Sequence, residues 1–300
     1  MYYSASYGAK ETSSNVRDFI KVHKGDLWRL VRSVAPLLLI LAILSIFAEY
    51  YLGQKALKYM GAQGTPQTST ELFEIMRDIS LSVYTDPIGW FSIILQILIG
   101  YCFAVIAVSW HRLVLLGPDR SEAMQMLSPQ KHEINFVAVW TMVSVVLPHM
   151  MAVLMNMSMA YVLVSSVVFP YLFFKLSFYF PAKALDSHLS FQNSFVLTKG
   201  LFFKFMLSVF LSFWRIMLVL FVFSLVMGFI AGILAGILLP VEGVSDYTMG
   251  AQRQIVNQIL MKLPVTFYFQ PIFTVLGVTV LSNYYQYALQ NKDEASNISI

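Results

Sequence analysis

The sequence predicts an all-α protein, a polytopic transmembrane helical bundle of about six spans with both termini in the cytoplasm. Three observations predict it. Of 300 residues, 58% are hydrophobic and only 12% charged, whereas charged residues make up about a quarter of an ordinary soluble domain. Apolar runs near the ~20 residues needed to cross a bilayer recur along the chain. Lys and Arg are distributed unevenly between the connecting segments, which sets orientation. With the N-terminus inside, the outer loops hold Lys55, Lys58, Arg77, Arg253 and Lys262, and every other basic residue except Arg215 falls inside.

The formal charge is +4 and the pI near 9.0. The basic residues cluster beside apolar segments and do not form a groove interleaved with aromatics, so nucleic acid is not an expected partner. Membrane lipids are. The single cysteine, Cys102, lies in an apolar run, which excludes an intramolecular disulfide and a cysteine-based metal site. No short apolar stretch followed by a small-residue cleavage site opens the chain, so insertion is expected to use the first internal span.

Residues 1–13 lack periodicity and are expected to form a flexible tail. Over 14–33, Val16, Ile20, Leu27 and Val31 recur near helical spacing while Arg17, Lys21, Lys24 and Arg29 lie elsewhere around the helix. That pattern predicts a basic amphipathic interfacial helix with Trp28 at headgroup level. The six-span bundle then occupies 34–289. Its first span is 34–52, followed by an outer loop over 53–87 in which a capping box, Thr68 to Glu71, starts a short helix. The second span, 88–108, ends in Trp110, His111 and Arg112, residue types suited to an interface. The third, 134–155, is expected to kink near Pro148. The fourth, 160–180, is closed by Pro181, and a short helix from Ser190 stops at Gly200.

The fifth segment, 201–239, is too long for one perpendicular span, because as a single helix it would measure about 58 Å. Either 201–214 lies along the surface, or one tilted helix enters near Lys204; the narrow polar stripe Lys204, Ser208, Ser212 and Arg215 favours the embedded helix. An outer loop over 240–263, a sixth span over 264–284 interrupted by Pro271, and a polar tail over 290–300 complete the chain.

Three groups of residues are candidates for function. Ser224, Gly228, Gly232 and Gly236 repeat at a spacing of four, which places small residues on one helix face where another helix can approach closely. Arg215, within an apolar run, and Gln96, His149 and Gln270, at comparable depths, form a candidate polar intramembrane cluster. Lys175 and Lys183, with Arg17, Lys21, Lys24 and Arg29, are candidate lipid-headgroup contacts. Catalytic signatures are missing: the five histidines are scattered, no HExxH or phosphate loop occurs, and no serine sits in a nucleophile elbow. Asp119 and Glu122 alone do not make a metal site, and no cofactor is expected.

The run Trp110-His111-Arg112-Leu113-Val114-Leu115-Leu116-Gly117, together with Lys175 to Lys199 and its closing Leu-Thr-Lys-Gly before a long apolar helix, resembles a broad group of uncharacterised bacterial six-span inner-membrane proteins related to the membrane domain that accompanies some glycerophosphodiester phosphodiesterases. That group often has an acidic residue directly after the Gly, whereas here Pro118 precedes Asp119. The resemblance implies an α-helical bundle of unknown or accessory function in a bacterial cytoplasmic membrane. It transfers no catalytic residue, and no soluble phosphodiesterase domain is present in these residues. The expectation is therefore a non-enzymatic membrane protein that packs against other membrane helices or against itself; the alternative is a transporter or lipid-handling protein with a polar site around Arg215.

Overall fold

The fold is seen in a computed structural model, which describes residues 7–63, 69–119, 121–155, 168, 170–186, 189–238 and 256–298. Among these residues every regular element is helical. Five helices are long and apolar enough to cross a membrane: Lys24–Gln63, Pro87–Leu116, Lys131–Met150, Phe202–Leu234 and Val256–Asn291. The chain is a multi-pass membrane protein by this measure. Of the expected fourth span, 160–167 and 169 lie outside the described residues, as do 156–159, Thr68 and the segment 239–255.

In chain order, α1 is Ala9–Val22, α2 Lys24–Gln63, α3 Ser69–Ser82 and α4 Pro87–Leu116. After a connection, α5 is Lys131–Thr141, followed by a π-helical turn, Met142–Val146, and α6, Leu147–Met155. A helix over 170–177 (α7) leads to α8, Tyr179–Ala184, and α9, Phe191–Leu197. Next come α10, Phe202–Leu238, a helix over 256–264 (α11), a second π turn, Val265–Phe269, and α12, Gln270–Ile298.

At the centre stands α4. Its second half is buried on all sides from Cys102 to Val114, as expected of a helix with no polar face. It packs on α2, α12, α5 and α8. The helix starts with Asp86 as N-cap, its carboxylate accepting from the Ile88 amide at 2.7 Å, and with Pro87 at the first helical position, where a missing N–H costs nothing. Gly117 closes it at φ 81°, a conformation open to glycine.

Two of the prolines are accommodated in the same way. Each π turn ends two residues before a proline, Pro148 in one case and Pro271 in the other, and each makes a longer-range bond: Leu147 N to Met142 O, and Gln270 N to Val265 O. Within an α-helix a proline clashes with the carbonyl four residues back, here that of Ser144 or Phe267. Both carbonyls lie inside the π turns, where the wider ring relieves the clash. The expected break near Pro148 takes this form. Pro181 does not end its helix; the break falls at Phe178, and Pro181 occupies the first turn of α8.

Several boundaries differ from the sequence expectation. Residues from Ala9 are helical, and Thr12 and Ser13 are fully buried, so residues 9–13 of the expected flexible tail belong to α1; residues 1–6 lie outside the described residues. Instead of lying apart as an interfacial helix, α1 packs on α10 and α12: Arg17 donates to the Leu211 carbonyl at 3.2 Å, and Asn283 Nδ2 to Thr12 Oγ1 at 3.3 Å. Small polar residues on α1 take hydrogen bonds inside the bundle, which an amphipathicity argument alone does not anticipate. The helix of the first span, α2, runs to Gln63, through Gly53 and Gly61 and well into the expected loop over 53–87. The last span begins by Val256, and its helix continues to Ile298 through the expected polar tail.

Candidate functional site

The polar chemistry of the bundle is concentrated at the C-terminal end of α4. Ser109, Trp110, His111 and Arg112 are consecutive, and at about 100° per residue four consecutive side chains nearly encircle a helix. Each therefore meets a different neighbour. Ser109 Oγ donates to Val105 O at 2.8 Å and accepts from the Met124 amide at 3.0 Å, which pins the connection between α4 and α5. Trp110 Nε1 donates to Thr279 Oγ1 on α12 at 2.8 Å. His111 Nδ1 bonds Ser282 Oγ, also on α12, at 2.8 Å.

Arg112 distributes its fork widely. Its Nε donates to the Ala184 carbonyl at 2.9 Å and its Nη1 to the Glu122 carbonyl at 3.2 Å. Nη2 donates to His132 Nε2 at 2.9 Å and pairs with Glu133 Oε1 at 2.8 Å. Glu133 Oε2 in turn accepts from the Gln130 amide at 2.7 Å, closing a capping box at the start of α5. An imidazole that accepts at Nε2 carries its proton on Nδ1, which faces Asp186 Oδ1 at 3.5 Å. Asp186 sits at φ 56°, a left-handed position that Asp tolerates better than most residues.

These residues were expected at an interface. Instead Trp110 and His111 are fully buried and Arg112 is 9% exposed. The reason is the length of α4, which continues two turns past the expected end of the span and is covered by α5, α8 and α12. With the arginine donors committed to carbonyls, an imidazole and a carboxylate, the arrangement works as a latch tying three chain segments together. Four of the five arginine N–H donors are committed in this way.

Of the expected intramembrane cluster, the structure brings two members together. His149 Nε2 meets Gln96 Oε1 at 3.1 Å, and its Nδ1 meets the Tyr84 hydroxyl at 3.2 Å. Tyr84 was not anticipated, because it belongs to a turn whose path the sequence does not specify. Arg215 does not join them. It is exposed, its guanidinium 5.8 Å from the Trp214 ring centroid, and among the described residues no hydrogen bond links it to Gln96, His149 or Gln270. Gln270 is half-buried at the end of the second π turn.

On the small-residue face of α10, Gly228 and Gly232 are half-buried. At Gly228 and Gly232 nothing among the described residues lies within 4 Å of where a Cβ would stand. Ser224 is half-buried, and Gly236 lies in the helix. Other glycines of this chain are used for close approach: a Cβ at Gly89 would fall 1.8 Å from the Val83 carbonyl oxygen, and at Gly100 it would meet Ser144 and Val145 at 3.5–3.6 Å.

Among the candidate headgroup contacts, Lys21, Lys24 and Arg29 are exposed. Arg17 is engaged inside the bundle by Leu211 and Ser13, and Lys175 is buried, its ammonium 5.5 Å from the Tyr171 ring centroid. Lys183 lies 5.4 Å from the Tyr179 ring. Away from these sites, ion pairs join α2 to its neighbours: Lys55 to Asp86 and Lys262 to Glu49, both at 2.6 Å. No group of three or more His, Cys, Asp or Glu residues able to hold a metal occurs among the described residues. In comparisons with family models, curated proteins and solved structures, this chain matches none.

Proposed function

We propose that this multi-pass protein is a non-enzymatic accessory subunit of a bacterial cytoplasmic membrane, both termini cytoplasmic, that packs the glycine face of α10 against a transmembrane helix of another membrane protein. The observation that carries the reading is the open stripe at Gly228 and Gly232. Glycine inside a helix costs roughly 0.5–1 kcal/mol relative to alanine, and a lipid-facing surface has no use for it. Gly89 and Gly100 repay that cost within the chain through close contacts, whereas Gly228 and Gly232 find none among the described residues. Their helix is also the least covered span, with only 6% of its most apolar window buried, against 61% for α4. Small residues four apart let a neighbouring backbone approach closely, and in a bilayer van der Waals packing of this kind drives association.

A polar transport site around Arg215 draws less from the geometry, since that side chain is exposed and apart from Gln96 and His149. The test is extraction into native lipid particles, with the mass of the extracted species measured for the parent chain and for Gly232→Ile. The proposal expects a stoichiometric membrane-protein partner that the substitution removes while the helical spectrum is kept. A lone chain in native lipid, or a partner retained by Gly232→Ile, sinks it.

A further inference from the structure

A cavity of about 390 Å³ lies between α5, α7, α10 and α12. Its wall is almost wholly apolar, formed by side chains such as Phe173, Val209, Phe213 and Phe273. Ser144, Thr274 and two ring nitrogens interrupt that chemistry. His111 and Trp140 both line the cavity, and among the described residues the buried atoms His111 Nε2 and Trp140 Nε1 have no hydrogen-bond partner. The two rings share a neighbour: the Phe136 centroid lies 5.9 Å from each. Buried polar groups without a partner are rare, and each carries a desolvation penalty of roughly 1–3 kcal/mol. Elsewhere on α4 and α12 the rings are satisfied: Trp110 has Thr279, and the other nitrogen of His111 has Ser282.

We propose that this cavity binds a neutral lipid-like molecule carrying one uncharged oxygen, such as a long-chain alcohol, with the oxygen accepting from Trp140 Nε1 and bonded to His111 Nε2. The volume falls within the roughly 300–1,000 Å³ of small-ligand sites, which characteristically pair an apolar wall with a few placed polar groups. A hydroxyl suits both nitrogens: it accepts from the indole N–H, which can only donate, and it can donate to or accept from imidazole according to tautomer. The lining includes no Lys, Arg, Asp or Glu, so an ionised headgroup would be buried without a counter-charge, at large cost. The bilayer holds neutral amphiphiles of this kind at high local concentration. This site is independent of the glycine face, which lies far along α10 from Val209 and Phe213.

The probe is a long-chain primary alcohol bearing a diazirine, photolysed with the purified full-length protein in detergent; the matching carboxylic acid at pH 8 and the matching alkane serve as comparators. Cross-links are expected in the α5, α10 and α12 segments that line the cavity, competed by unlabelled alcohol, with the carboxylate labelling at least tenfold less. Trp140→Phe keeps the ring and removes the donor; it should weaken the alcohol about fivefold to tenfold and leave the alkane unchanged. Gly277→Leu, at a lining position whose added Cβ would meet Phe213 at 3.8 Å, should shrink the cavity and abolish labelling by both. Gly232→Ile should label like the parent, which separates this site from the association reading. Labelling confined to outward residues such as Phe210, Phe221 or Phe229, equal labelling by the carboxylate, or an alcohol response unaffected by Trp140→Phe would each overturn the proposal.

Discussion

Arg112 and Glu133 lie 2.8 Å apart with side chains only 11% and 3% exposed, so an ion pair joins the end of α4 to the start of α5 away from water. Such a pair contributes modestly as a pair, but losing one partner strands the other charge, typically at about 3–5 kcal/mol. Glu133→Ala should therefore destabilise by that order, read as a lower midpoint in detergent unfolding. The double variant Arg112→Met with Glu133→Leu should recover much of the loss. A double variant no more stable than Glu133→Ala would show that the arginine's bonds to the Ala184 and Glu122 carbonyls, and not the charge pair, hold the latch.

Trp110 and Thr279 supply a neutral comparison. Thr279→Val keeps the shape and removes the oxygen that accepts from Trp110 Nε1 at 2.8 Å. A buried indole N–H left unpaired costs roughly 1–3 kcal/mol. Unfolding by denaturant with tryptophan emission as the signal checks this, and a shift well below that range would mean that the freed N–H finds another acceptor.

Glycines divide into two classes with opposite predicted responses. Gly228→Ala meets open space and should stabilise the isolated chain by about 0.5–1 kcal/mol through helix propensity. Gly89→Ala sets a Cβ 1.8 Å from the Val83 carbonyl oxygen, so the backbone of the turn into α4 must shift, at a cost of roughly 1–3 kcal/mol. Thermal midpoints of the two variants, measured in one detergent, should move in opposite directions.

The Lys55 and Asp86 pair carries a pH dependence. The Lys55 hydrogen bond, with the Ile88 amide adding to it, holds the Asp86 carboxyl below its ordinary value. A carboxylate depressed in the folded state contributes stability above its unfolded pKa and loses it as pH falls through the folded one. The protection this pair gives to the first turn of α4, read by hydrogen exchange, should thus be full and independent of pH near neutrality, and be lost only in acid, as pH falls below the ordinary carboxylate value. Asp86→Asn should remove that acid-dependent loss.

Helices were legible in the sequence wherever apolar runs were long, and the small-residue face of α10 was legible from spacing alone. Their ends were not, because a helix continues past its apolar stretch when neighbours cover it, as α4 does through Arg112. Trp110, His111 and Arg112 have the composition of an interface, and only the tertiary placement of α5, α8 and α12 reveals them as interior. The pairing of Gln96 with His149 followed from depth counting, but the exclusion of Arg215 depended on which way its helix is rotated. The cavity beside His111 and Trp140 leaves no trace in sequence, since its wall is made of residues that look like any other core.

The position of α1 bears on how the chain is made. Thr12 takes a bond from Asn283, 271 residues later, and Ser208 lies 3.4 Å from the Ala9 carbonyl it donates to. The helix α1 is thus seated by α12, far later in the chain, with α10 as the other wall. Without α12, α1 would keep α10 and the edge of Trp110 against Phe19 but lose the wall that holds Thr12. The N-terminal helix acts as a keystone, and a chain truncated before Asn283 should present that helix to proteases and quality-control factors as a sign of incomplete assembly.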